Sequence, residues 1–120
     1  MNVSGTGRPA PVNFEDLDPA QAKDVLADFP DLKVLDVRTF GEFVQHRLEK
    51  AELRPIQELG DSWQGLDPDA DWLVVCEHGV RSVAACEFLA ERGFDSLRNL
   101  RGGMAHWIHQ GFDVVQGPPS

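Results

Sequence analysis

The segment WLVV, residues 72–75, is a continuous apolar run that ends on Cys76, and it constrains the fold more than any other stretch. A short run that is apolar at every position predicts a strand buried on both faces of a sheet. Strand-like and helix-like patterns alternate on either side of it. The sequence therefore predicts an α/β domain with a mainly parallel sheet.

The other elements carry recognisable local signals. Asp18 and Pro19 fit the N-cap and first position of one helix, and Thr39 with Glu42 forms a capping box that opens another. Further helices are predicted in RSVAACEFLAERG and in GGMAHWIHQG, the second with its inward face at Met104, Trp107 and Ile108. Further short strands are predicted in KVLDVR, AELRPI and SLRNL.

Length and composition indicate one cytoplasmic domain. The 120 residues suit a single domain over 14–115, with a flexible leader at 1–13 and a flexible tail at 116–120. We find neither a signal peptide nor an apolar run long enough to span a bilayer. The net charge of −9 argues against nucleic acid or a membrane surface as partner. The two cysteines have no zinc-site spacing, and we expect both to be thiols.

Cys76 follows the buried strand directly, and in parallel sheets ligands bind beyond the carboxyl ends of the strands. The short loop after it allows backbone amides to converge on Sγ, and the next helix adds the positive end of its dipole. Both effects favour a reactive thiolate and an anion beside it. The expected anion-binding loop comprises Glu77, His78, Gly79, Val80, Arg81 and Ser82.

Three stretches resemble single-domain rhodaneses, in the order that family shows them. CEHGVRS is similar to the active-site loop, LDVRTFGEFVQHRLEKAEL to the "DVR…E" segment, and NLRGGMAHWIHQGFDV to the closing "GG…W" segment. The likeness covers about residues 14–115, although Arg47 and Lys50 stand where the family usually has His and Gly. It implies a rhodanese-like fold, with a mainly parallel sheet of about five short strands and helices on both faces.

The resemblance also implies a chemistry. Cys76 would take sulfur from a donor such as thiosulfate, hold it as a persulfide, and pass it to cyanide or a thiol. Neither a metal nor an organic cofactor is expected, and a protein could serve as donor or acceptor. The alternatives are a persulfide carrier or partner-binding module loaded by another protein, a regulatory domain without chemistry, and a cysteine phosphatase or arsenate reductase. The C-x₄-R spacing favours sulfur, because rhodanese-like phosphatases have the longer C-x₅-R loop.

Several residues are open to two interpretations. We expect Cys86 to be a core residue, and Asp36, Arg38 and Glu42 to form a charge network at the end of a strand. Arg38 and Arg101 are candidates for a positive rim around the site. Glu77 places a negative side chain beside the expected anion site, and thiosulfate chemistry does not explain it.

Overall fold

The computed structural model describes residues 14–119 and contains one five-stranded sheet. The strands are β1 (Glu15–Leu17), β2 (Lys33–Asp36), β3 (Ala51–Leu53), β4 (Trp72–Val75) and β5 (Leu97–Leu100). The α-helices are α1 (Pro19–Asp28), α2 (Phe40–Gln45), α3 (Leu59–Ser62), α4 (Arg81–Ala90) and α5 (Gly103–His109), and short 3₁₀ turns flank α3 at Ile56–Glu58 and Trp63–Gly65. The spatial order is β1-β5-β4-β2-β3 and every pairing is parallel, which confirms the predicted α/β class.

The two predicted N-caps are confirmed. The Asp18 carboxylate accepts the Gln21 amide at 2.8 Å, and the Gln21 side chain returns a bond to the Asp18 amide. Thr39 and Glu42 make the same reciprocal pair at the start of α2. Each box provides partners for amides that a helix start leaves unpaired, so each helix begins at a defined residue.

Helices cover both faces of the sheet, as expected. Because side chains alternate along a strand, Trp72 and Val74 face one layer, and Leu73 and Val75 face the other. The first layer holds buried residues of α3 and α4, and the second holds buried residues of α1 and α5. This two-sided burial explains why β4 is apolar at all four positions.

Two features differ from the sequence predictions. Strand β1 was not predicted, because its sequence EDL is short and two of its three side chains are exposed. Ile108, expected inward, is 37% exposed, whereas Met104 and Trp107 of the same helix are buried. Successive residues of a helix are rotated by about 100°, so Ile108 lies at the edge of the face that buries Met104 and Trp107.

The predicted domain boundaries remain predictions. The leader at 1–13 lies outside the described residues, as does Ser120. Near the end of the chain, Val115 pairs with Arg47, and the Gly117 amide donates to the Val44 carbonyl at 2.8 Å. None of the helices within residues 14–119 has the length and apolarity to cross a bilayer.

Candidate active site

Cys76 lies at the carboxyl end of β4, the central strand, and only 1% of its surface is exposed. Two backbone amides donate to its Sγ, from Gly79 at 3.1 Å and from Ser82 at 3.2 Å. The Ser82 Oγ lies 3.2 Å from the same sulfur. Ser82 belongs to the first turn of α4, so the sulfur accepts an amide that the helix itself leaves unpaired. Three polar groups and a helix N-terminus thus stabilise negative charge on one atom.

The loop after Cys76 is held from behind by the start of α5. The Met104 amide donates to the Cys76 carbonyl at 2.8 Å, and the Ala105 amide donates to the Glu77 carbonyl at 3.0 Å. Gly103 has a φ of +67°, and a Cβ there would lie 2.4 Å from the Glu77 carbonyl oxygen and 2.5 Å from that of Cys76. The close approach therefore requires glycine. The sequence signal for this contact between α5 and the loop is the pair of glycines at the start of α5, Gly102 and Gly103.

We expect Gly103→Ala to lower the free energy of unfolding by about 3 kcal/mol or more, because an overpacked backbone contact adds to the cost of a positive φ. The Cys76 loop should shift with it, because its two carbonyls are held by the amides that directly follow Gly103. Gly93→Ala is the matched control: its φ is +93°, but a Cβ there meets nothing within 4 Å. It should lose only about 1–2 kcal/mol. Urea unfolding of both variants measures the difference, and equal losses would show that the close approach is unimportant.

A buried charge network lies beside the loop. The Arg38 guanidinium is fully buried and forms bonds of 2.8–3.1 Å with the Asp36 carboxylate. It also donates to Glu77 Oε1 at 3.0 Å and to the His46 carbonyl at 2.6 Å. Burial alone would lower the pKa of Arg38, but the hydrogen bonds and charges of Asp36 and Glu77 raise it above its ordinary value. Arg38 is therefore buried and is not part of the positive rim that the sequence suggested around the site.

Glu42 belongs to a separate pair, contrary to the expected network with Asp36 and Arg38. Both of its carboxylate oxygens accept bonds from the Arg81 guanidinium, at 2.8 and 2.9 Å. Hydrogen bonds from Arg81 lower the pKa of Glu42 to about 2, and Glu42 in turn raises that of Arg81. This fork-to-fork contact holds α2 against α4. The charge of Arg81 is thus matched by a carboxylate, whereas the sequence suggested an arginine available to an oxyanion.

The remaining candidates lie around the mouth of the site. His78 and Val80 are exposed in the loop, Val80 to 76%. Arg101 is exposed directly after β5, at the same edge of the sheet as Cys76. Sequence reasoning missed His46, whose Nε2 lies 3.8 Å from Glu77 Oε1, because no local pattern marks a contact between residues so far apart.

Cys86 lies apart from this polar environment. It is fully buried in the layer between the sheet and α4, and burial raises the pKa of its thiol to about 12. A thiol that resists ionisation is a poor nucleophile, as a core role requires. Within residues 14–119, no three His, Cys, Asp or Glu side chains are grouped closely enough to hold a metal ion.

Comparison with known proteins matches the part of the chain that contains Cys76 and its loop. The family model for the rhodanese-like domain matches residues 18–110. A sulfurtransferase of Allochromatium vinosum is 32% identical over 90 residues, which cover 75% of this chain and 84% of the relative. The thiosulfate sulfurtransferase GlpE of Actinobacillus succinogenes is 31% identical over 101 residues, covering 84% and 90%.

Solved structures share the fold. The crystal structure of a rhodanese-related protein from Thermoplasma volcanium superposes with a TM-score of 0.78 at 32% identity, covering 85% of this chain and 98% of that one. A rhodanese-like domain protein from Staphylococcus aureus gives a TM-score of 0.72 at 26% identity, covering 78% and 91%. The likeness in both cases spans nearly the whole of the neighbour.

Proposed function

This chain belongs to the rhodanese-like family, and on that premise we propose that it is a sulfurtransferase that carries sulfane sulfur on Cys76. One observation carries the proposal: two backbone amides and a serine hydroxyl converge on Sγ at 3.1–3.2 Å. Such a set stabilises both a thiolate and the anionic persulfide that sulfur transfer would form there. Curated relatives named sulfurtransferases agree with this chemistry.

The reaction has two steps that share one intermediate. In the first, the Cys76 thiolate attacks the outer sulfur of a donor such as thiosulfate. A new S–S bond forms, the donor's S–S bond breaks, and sulfite leaves with its electron pair. In the second, a thiolate or cyanide attacks the outer sulfur of the persulfide and releases the Cys76 thiolate. Ping-pong kinetics follow, and the steps need no cofactor.

The amides have a defined part in both steps. The Gly79 and Ser82 amides donate hydrogen bonds to the sulfur and keep their protons throughout. Because both amides are already in place, they need not reorient when negative charge moves between Sγ and the outer sulfur. The Ser82 hydroxyl can donate to a thiolate in the same way. No side chain is needed as a general base once the thiol is ionised.

The Arg81 contact supports sulfur transfer over phosphate chemistry. A cysteine phosphatase needs the loop arginine for its phosphate, but here Glu42 occupies both forks of that guanidinium. The persulfide-carrier alternative has an observation of its own. Val80 in the loop is 76% exposed and Phe40 in the first turn of α2 is 57% exposed, and the Glu42–Arg81 pair joins those two segments. Exposed apolar side chains on the loop and on the helix paired with it suit contact with a partner protein.

Mass spectrometry after exposure to sulfur donors tests the proposal. We expect thiosulfate, 3-mercaptopyruvate or a cysteine-desulfurase system to add one sulfur, about 32 Da, on Cys76, because the loop stabilises the persulfide anion. Addition of cyanide should remove it as thiocyanate. Loading by the desulfurase alone would favour the carrier, and a Cys76 that no donor loads would contradict both functions.

A further inference from the structure

The ion-paired side chains that contact the Cys76 loop carry no net positive charge that would attract a strongly anionic donor. Arg38 is matched by Asp36 and Glu77, and Arg81 is matched by Glu42. These five side chains comprise three carboxylates and two guanidiniums, so they sum to one negative charge. The excess charge comes from Glu77, the loop residue directly after the nucleophile, because Asp36 already balances Arg38.

Glu77 cannot easily move its charge away from the site. Its carboxylate is held by Arg38 at 3.0 Å, and Arg38 itself is fully buried and anchored to Asp36. Its carbonyl is held by the Ala105 amide. The side chain remains 23% exposed at the loop, so its field reaches an approaching donor through only partial solvent screening.

We propose that Glu77 sets the class of sulfur donor, selecting against donors that carry two negative charges and in favour of donors that carry one or none. The inference rests on the proposed sulfur transfer at Cys76 and adds a specificity residue to it. The amides on Sγ contact the nucleophile, so they do not distinguish donors by charge. The repulsion between Glu77 and the donor, in contrast, grows with each negative charge on the donor.

Two small donors that react through the same kind of S–S bond but carry different charges allow the effect of donor charge to be measured by itself. Thiosulfate carries two negative charges, and methanethiosulfonate carries one. In both, the Cys76 thiolate attacks the outer sulfur, one S–S bond forms and one breaks, and the leaving group departs with the electron pair, as sulfite or as methanesulfinate. The reaction is followed as the rate of persulfide formation on Cys76, at low ionic strength and pH 8, where histidines are ordinarily neutral.

We expect Glu77→Gln to raise the second-order loading rate about threefold for methanethiosulfonate and about tenfold for thiosulfate, because the electrostatic energy doubles with donor charge. Glutamine keeps an acceptor for Arg38, so the loop should retain its shape. Glu77→Ala should change both rates in the same direction, which guards against a folding defect specific to one variant.

Glu91→Gln is the matched control. It removes the same unit of charge at the C-terminal end of α4, where Glu91 is exposed, about 15 Å of helix away from the loop. Both donor rates should stay near wild type. Equal changes for the two donors, no change in either, or the same effect in Glu91→Gln would each overturn the inference. Failure of wild type to load Cys76 from any donor would instead contradict the proposed function itself.

Discussion

Cys76→Ala is expected to reduce sulfur transfer by on the order of 10³-fold or more, to the level of the uncatalysed reaction. Both proposed steps form or break a bond at Sγ, and the Gly79 and Ser82 amides both donate to that atom. Thiocyanate release from thiosulfate and cyanide measures the loss. The mass gain of one sulfur should disappear with it.

Cys86→Ala provides the matched control for that experiment. It removes the second buried thiol, so it should cost about 1–2 kcal/mol of stability through a small cavity and leave the transfer rate near wild type. If Cys76→Ala retained activity, or if Cys86→Ala lost it, the assignment of the nucleophile would be wrong.

Arg38→Met is expected to lower the free energy of unfolding by about 3–5 kcal/mol. The change leaves the fully buried Asp36 carboxylate without its cation, and it also removes the donor to the His46 carbonyl. An unmatched buried charge costs far more than a lost surface pair, because neither water nor a counterion replaces the guanidinium. Urea unfolding gives the value directly from the midpoint and slope.

Two further variants separate charge burial from the loss of packing. Asp36→Leu combined with Arg38→Met removes both buried charges, so it should recover part of the stability that Arg38→Met loses. Arg98→Met disrupts the pair with Glu15, whose side chain is 69% exposed, and should cost about 1 kcal/mol or less. A similar small loss for Arg38→Met would show that its network contributes no more than a surface ion pair.

The elements that the sequence predicts well are those determined by neighbours in the chain. The capping boxes at Asp18 and Thr39 depend on a residue three positions away. The burial of β4 is predicted by its own sequence, which is apolar at every position. Strand β1 depends instead on pairing with β5, whose partner residues lie some 80 positions later. Its polar sequence contains no sign of that pairing, so the strand could not be predicted locally.

The same distinction holds within the site. The position of Cys76 follows from β4 and the helix after it, and both are local features. The partners of Glu77 and Arg81 lie 39 residues away, where α2 and the end of β2 meet the loop. Sequence reasoning therefore treated Arg81 as available to a ligand and left Glu77 unexplained. The roles of Arg81 and Glu77 can be assigned only from their long-range ion pairs.

The support of the Cys76 loop by α5 also determines when the site is completed during synthesis. A ribosome makes the nucleophile and its loop well before Met104 and Ala105, whose amides hold the loop carbonyls. Within residues 14–119, strand β1 likewise waits for β5, the strand with which it pairs. A nascent chain stopped before residue 97 would therefore contain Cys76, but it would lack both the α5 amides that hold its loop and the strand that joins β1 to the sheet. The segment from Leu97 to His109 therefore supplies both the strand that joins β1 to the sheet and the helix that supports the Cys76 loop.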